Sequence, residues 1–282
     1  MAPSALNIAV NPAGLSAGVF DGTVIVSSPG FTPQTINVKL SVAVAPNGPM
    51  ISEVDNGFSN VPNSPIQAGN WVVIKGTNLS NTPGRGWNGS ESFPTSMDGT
   101  SVTINGKPAF MYFISPMQVN VQAPSDNTLG PVNVVVTNNG SSSQPVTVRY
   151  QIYSPALLQW GGGQSPFALI SRGSEFVGNP TSITGTVPAH AGDVLALWAT
   201  GLGPTNPPIP AGQQPTVFPT TTTAPTVTVG GTNVNLLGSV LRFAGLYQVN
   251  IQLPASLPAG DLPIKIQQGN FQSPDGVLIN IQ

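Results

Sequence analysis

Short runs of alternating apolar and polar residues follow one another along the chain, and turn-forming residues separate them. The runs TVIVS (residues 23–27), INVKLSVAV (36–44) and QVNVQ (118–122) have the period of two that half-buried strands show. No eleven-residue window free of glycine and proline has the i, i+3, i+4, i+7 spacing of an amphipathic helix. The pattern therefore predicts an all-β fold built of sandwiches. Further strands are predicted at residues 71–75, 101–105, 132–137, 146–150, 194–198, 226–229, 247–252, 262–266 and 277–281.

The second half of the chain repeats the first. MQVNVQAP (117–124) matches YQVNIQLP (247–254) at an offset of 130, and GPV (130–132) matches the position of GDL (260–262) at the same offset. Upstream, residues 68–79 match residues 191–202 at an offset of 123, and VTING (102–106) matches VTVGG (227–231). Four blocks in one order predict two copies of one sandwich. We place a short β unit at residues 1–47, copy one at 50–153 and copy two at 157–282.

These blocks carry family resemblances. The segment from Ala68 to Leu79, in which GTNL closes a strand, resembles the immunoglobulin-like IPT/TIG fold. Copy two resembles the uncharacterised Solibacter-type C-terminal domain family of acidobacterial secreted proteins, through ATGLGP (199–204), VTVGG (227–231) and AGLYQVNIQLP (244–254). Residues 5–44 resemble the second half of a BACON-type sandwich, through VNPAGL (10–15) and GVFDGT (18–23). The resemblances imply tandem immunoglobulin-like sandwiches of a bacterial secreted or cell-surface protein, and none of them implies a known catalytic site.

The composition excludes several classes of function. Only 8 Lys and Arg and 10 Asp and Glu occur in 282 residues, so the net charge is −2 and 6% of the residues are charged, against about 25% in an ordinary soluble domain. Eight scattered cations cannot form the basic patch that nucleic-acid binding needs. The lack of cysteine excludes a thiolate zinc site, a disulfide framework and a cysteine nucleophile. No apolar run of 18 residues occurs, so we expect no membrane insertion.

The first residues of the chain, MAPS, show neither the basic nor the apolar region of a signal peptide. We therefore expect either that export information has been removed or that this chain is a fragment of a larger surface protein.

One histidine is a candidate for catalysis. His190 could act as a general base with Asp193 as its orienting partner, as in a hydrolase. It lies in a turn before a predicted strand, at the place that Gln67 occupies in copy one, and this favours a plain turn residue.

Carboxylates give a second set of candidates. Glu91 and Asp98 lie in the long loop at residues 80–100 and could form the carboxylate pair of a glycosidase. Carboxylate oxygens could instead bind calcium, and Asp55 and Asp98 are weak candidates for such a site. Both aspartates precede glycine or Asn-Gly, which is common in plain turns. No cofactor is predicted beyond this calcium alternative.

The tryptophans are better candidates for ligand binding. The period of two places Trp71 and Trp198 on the outer faces of their strands, where a tryptophan can stack on the apolar face of a sugar or pack against a neighbouring domain. Trp87 lies next to Arg85 in the loop PGRGWNGS (83–90) and could anchor a partner or a glycan, or fold back over its own loop.

Two other features recur in both copies. The amides at residues 118, 120 and 122 and at residues 248, 250 and 252 alternate on one strand face, which predicts a solvated face. Long loops at residues 80–100 and 203–224 occupy the same place in each copy, and loops of this length are usually functional or mobile. We expect any binding surface at the end of the sandwich from which these loops emerge.

These observations favour a non-enzymatic extracellular module for adhesion, carbohydrate binding or spacing in a bacterial surface or secreted protein. Its expected partners are a polysaccharide or other surface glycan, or neighbouring domains of a larger protein. One alternative is an unusual hydrolase of a small ester, lactone or glycoside that uses His190 or Glu91 and Asp98. Another is a structural subunit that polymerises by strand donation through an open edge near residues 5–10.

Overall fold

The computed structural model describes residues 7–12, 15–43, 48–89 and 92–282, and its regular structure is almost entirely strand. Within these ranges there is no α-helix, and one short 3₁₀ turn occurs at Trp160–Gly162. No helix of the described part is long and apolar enough to cross a bilayer. The all-β prediction is confirmed.

The N-terminal unit is a two-stranded antiparallel hairpin in which Gly18 pairs with Val42. Phe20, Val24, Val38 and Leu40 lie on one face, because Phe20 pairs with Leu40 and residues two apart on a strand share a face. Part of the BACON-like segment and part of the edge predicted near residues 5–10 lie outside the described residues. The strands are β1 (Gly18–Val26) and β2 (Gln34–Val42).

The first sandwich consists of two antiparallel sheets. One has the strand order β3-β4-β10-β9-β5, and the other has the order β12-β11-β7-β6, with β13 pairing β11 and β8 pairing β7. The alternate side chains of facing strands are fully buried between the sheets, as Val72 and Ile74 are on one side and Ile104 and Val134 on the other. The strands are β3 (Met50–Asn56), β4 (Trp71–Thr77), β5 (Arg85–Gly86), β6 (Ser96–Met97), β7 (Thr100–Ile104), β8 (Lys107–Pro108), β9 (Phe110–Ile114), β10 (Gln118–Gln122), β11 (Gly130–Asn138), β12 (Ser141–Ser142) and β13 (Val146–Tyr150).

The second sandwich has a separate core of its own, which includes Leu195, Leu197, Ile264 and Ile266. One sheet has the order β16-β15-β17-β23-β22-β19-β18 with β14 pairing β17, and the other has the order β21-β20-β24-β25 with β26 pairing β24. The strands are β14 (Ala156–Leu157), β15 (Ile170–Arg172), β16 (Glu175–Val177), β17 (Val194–Thr200), β18 (Thr205–Asn206), β19 (Thr220–Thr221), β20 (Thr226–Val229), β21 (Thr232–Asn233), β22 (Asn235–Phe243), β23 (Leu246–Gln252), β24 (Gly260–Gln268), β25 (Phe271–Gln272) and β26 (Leu278–Ile281).

The matched central strands of the two sandwiches pair in the same order and register, since β4-β10-β9 corresponds to β17-β23-β22. Gln118 of β10 pairs with Lys75 of β4, and Gln248 of β23 pairs with Trp198 of β17, which reproduces the sequence offsets of 130 and 123. The chain is therefore a tandem of two immunoglobulin-like sandwiches after a short β unit. The limits at residues 50–153 and 157–282 stay a prediction.

Candidate functional site between the two sandwiches

The two long loops predicted to matter contact each other. The backbone N–H of Phe93, in the first loop, donates to the carbonyl of Gly212, in the second, at 2.7 Å. The N–H of Gly212 donates in turn to Oε1 of Gln122, at the end of β10, at 2.6 Å. Gly212 has a φ of +83° and lies against the ring of Phe110. A single glycine thus connects the second sandwich to a loop and a strand of the first.

An aromatic cluster covers the first sandwich at this contact. The ring of Trp71 lies 5.4 Å from that of Phe93 and 5.0 Å from that of Tyr112, measured between centroids, and Trp87 lies 4.4 Å from Phe93. The indole N–H of Trp71 donates to the carbonyl of Ala244 in the second sandwich at 2.9 Å. We call the contacts of this cluster and of Gly212 the inter-sandwich interface.

The connection between the sandwiches is buried and hydrogen-bonded. The N–H of Ser154 donates to Oε1 of Gln67 at 2.8 Å, and its carbonyl accepts from the side-chain amide of Asn56 at 2.7 Å. Oγ1 of Thr200 lies 3.0 Å from Oδ1 of Asn70, across the interface, and 2.7 Å from the carbonyl of Gly245. Such bonds satisfy polar groups that burial would otherwise leave unpaired.

Beside the interface the sandwiches enclose a cleft of about 700 Å³, within the size range of small-molecule sites. Among the described residues, Asp126 is the one carboxylate that lines the cleft, and it forms an ion pair with Lys107 at 3.1 Å. The side-chain bond from Asn105 is the largest cause that holds the pKa of Asp126 well below its usual range. The first sandwich supplies residues 67–69, 122, 125–127, 129 and 151–153 of the lining, and the second supplies residues 203–205, 208–211, 213, 241, 244, 245 and 247.

The structure places the predicted tryptophans in different surroundings. Trp71 points away from its own core, as its strand period predicts, and packs at the inter-sandwich interface. Trp87 is half-buried against the first core, with its ring tilted against that of Phe93, while Arg85 is exposed and paired with Asp98 at 2.5 Å. Trp198 is half-buried on the outer face of β17, away from the cleft lining. A ligand-binding role of these residues stays a prediction.

His190 and Asp193 are neighbours, but the aspartate is bound to other groups. Oδ2 of Asp193 accepts from the guanidinium of Arg172 at 2.6 Å and from the backbone N–H of His190 at 2.8 Å, whereas Nδ1 of His190 lies 3.8 Å away. That Nδ1 lies 3.2 Å from the guanidinium, which has only donors, so it is the acceptor of that bond. The geometry joins His190 to a cation instead of to an orienting carboxylate.

The remaining carboxylate candidates do not come together among the described residues. Asp98 and Gly99 have φ values of +46° and +78° and form the tight turn between β6 and β7. Asp55 lies in β3, with Oδ1 accepting from the N–H of Asn63 at 2.7 Å. Glu91 lies outside the described residues. The described part holds no group of three or more acidic or histidine side chains that could bind a metal.

Asp55 titrates unusually because it is buried beside another carboxylate. Burial, and next the hydrogen bond with Glu53, raise the pKa of Asp55 to about 6, and the same bond and Lys75 lower the pKa of Glu53. The ammonium of Lys75 lies 2.7 Å from Glu53 and 3.2 Å from Asp55. The two carboxyl groups share one cation, so one of them holds a proton at a higher pH than usual.

We expect Asp55→Asn to remove a pH dependence of stability. Folded Asp55 keeps its proton up to about pH 6 while the unfolded residue loses it near pH 4, so this group lowers the free energy of unfolding as pH rises through that window. The variant should therefore gain about 2 kcal/mol relative to wild type between pH 4.5 and pH 8, as measured by urea unfolding. An equal effect of Asp55→Asn at both pH values would contradict the assignment.

Sequence reasoning missed most of the cleft. Gln122 was expected on a solvated face, but it is 3% exposed because Gly212 covers it, whereas its counterpart Gln252 is exposed. The one sign of the cleft in the sequence was the length of the loop at residues 203–224, because this loop supplies one wall of the cleft.

The chain is similar to several solved β-rich proteins. It is 12% identical to the Bacteroides ovatus glucan-utilization protein SGBP-B, solved with a mixed-linkage heptasaccharide, over 95% of this chain and 54% of that chain, with a TM-score of 0.38. It is 10% identical to domains 5–6 of the S-layer protein SbsC, over 83% of this chain and 98% of that one, with a TM-score of 0.27. This chain thus spans about half the length of SGBP-B. No curated protein matches it.

A family model gives a more specific match. Residues 58–150 match the IPT/TIG domain, and they lie within the first sandwich. The match supports an immunoglobulin-like domain at these residues.

Proposed function

We propose that this chain is a non-catalytic module of an extracellular bacterial protein, in which two sandwiches form one rigid unit that spaces neighbouring domains and presents a binding surface. The resemblance of copy two to the Solibacter-type C-terminal family and of residues 5–44 to a BACON-type sandwich supports the extracellular location. The expected partners are a surface glycan or further domains of the same protein.

One observation carries the proposal, namely the network of bonds that crosses the inter-sandwich interface. Trp71 donates to Ala244, Phe93 donates to Gly212, and Gly212 donates to Gln122, each at 2.6–2.9 Å. Flexible tandem domains have small, polar and exchangeable contacts, whereas these bonds are short and lie beside packed aromatic rings. A connection of this kind favours one fixed angle between the sandwiches.

Small-angle X-ray scattering of wild type and Gln122→Ala tests this rigidity. We expect one orientation of the two sandwiches to fit the wild-type scattering curve. The curve of Gln122→Ala should need several orientations, because Gly212 and Gly69 each lose a hydrogen-bond partner, at a cost of about 1–2 kcal/mol. Gln252→Ala removes the matched residue of the second sandwich and should leave the curve unchanged.

A wild-type curve that requires many orientations would contradict the rigid module. Particle mass that grows with protein concentration would instead favour the polymerising subunit, because strand donation joins chains end to end.

A further inference from the structure

We propose that the cleft between the sandwiches binds an uncharged segment of an oligosaccharide. The inference rests on the proposed extracellular function and names the site and the class of ligand. It assigns the binding surface to residues that are separate from the outer face of Trp198.

One wall of the cleft is apolar and rigid. Pro204, Pro208, Ile209 and Pro210 come from a single loop of the second sandwich, and Tyr153 adds a half-buried aromatic ring. Proline rings present C–H surface, lack an N–H and have a fixed φ, so this wall has few competing donors and little freedom to lose on binding. The C–H face of a pyranose ring matches such a surface.

The lining also includes amides with unused hydrogen-bonding capacity. The exposed side chains of Asn127 and Gln213 have no hydrogen-bond partner among the described residues, and the side-chain N–H₂ of Gln67 reaches only its neighbour's carbonyl, at 3.3 Å. An amide offers a donor and an acceptor side by side. Neighbouring sugar hydroxyls both donate and accept, so amides satisfy them in pairs.

The charge of the cleft selects a neutral ligand. In the part of the chain that the structure describes, no lysine or arginine lines the cleft, and Asp126 is already paired with Lys107 and Asn105. A polyanion would meet no unpaired cation there, and a polycation would have to displace Lys107. Because both sandwiches line the cleft, a bound chain would contact both of them at a fixed angle.

Affinity electrophoresis in native gels tests the proposal, with dextran, galactomannan and xyloglucan as neutral probes and alginate as the polyanion. We expect at least one neutral polysaccharide to retard the wild-type chain and alginate to leave it unaffected. The double variant Asn127→Ala with Gln213→Ala should weaken the retardation at least tenfold, because two ligand hydrogen bonds are lost.

Two control variants make the result specific. Asn233→Ala with Gln272→Ala removes two exposed amides of the second sandwich that do not line the cleft, and it should bind as wild type does. Trp198→Ala should also bind normally. Loss of binding in Trp198→Ala alone, unchanged binding in the cleft double variant, retardation by alginate, or no retardation by any neutral probe would each overturn the inference. The scattering result for the rigid module does not depend on any of these outcomes.

Discussion

Replacing Gly212 by alanine is expected to open the inter-sandwich interface and to lower the free energy of unfolding by about 3 kcal/mol. The residue has a φ of +83°, a conformation that costs an alanine about 1 kcal/mol or more. An added Cβ would also overlap the ring of Phe110, which belongs to strand β9 of the other sandwich. Overpacking of this kind usually costs about 1–3 kcal/mol more. Urea unfolding, monitored by circular dichroism, measures the combined loss of unfolding free energy.

Gly140→Ala separates the two costs. Gly140 has the same φ of +83°, but a Cβ added there meets no atom within 4 Å. This variant should lose only the backbone part, about 1 kcal/mol, and should keep the wild-type scattering curve. Equal losses in the two variants would mean that the contact with Phe110 contributes nothing.

The local pattern was sufficient to predict most strands and the tandem repeat. Every predicted segment overlaps an observed strand, because alternation with period two is set by a core on one side of each sheet. Most of the two- and three-residue strands were missed, and among the strands of five residues or more the missed ones are β3, β9 and β22. In β9 the run FMYFI does not alternate, since Phe110 lies against Gly212 and Tyr112 against Trp71 while Met111 and Ile114 fill the core. In β22, Gly238 interrupts the apolar run.

The candidate site depends on contacts that no local pattern encodes. Strand period correctly placed Trp71 outside its own core, but it could not show that Ala244, 173 residues later, accepts its N–H bond. The amides at residues 122 and 252 are equivalent in sequence, yet one is buried by the second sandwich and the other is exposed. Tandem symmetry in the sequence is broken in space, because the interface of two unequal neighbours uses a different surface of each copy.

Trp71→Ala is expected to be the other large loss, about 3 kcal/mol of unfolding free energy. The change removes a large ring from contact with Phe93 and Tyr112 and leaves the carbonyl of Ala244 without its donor. Trp71→Phe keeps a ring but not the N–H, so it should lose about 1 kcal/mol. Val194→Ala alters the matched position of the second sandwich, where the side chain is 52% exposed, and should change little.

The double variant Trp71→Ala with Gly212→Ala shows whether the interface acts as one unit. Trp71 packs on Phe93, whose N–H donates to Gly212, so either change alone should disturb the contacts that the other residue makes. The double variant should therefore lose less unfolding free energy than the two single variants lose together, by about 1 kcal/mol or more in a double-mutant cycle. Full additivity would mean that the aromatic cluster and the loop contact act independently. The sandwiches would then be held by two separate contacts, and either one alone would allow the angle between them to vary.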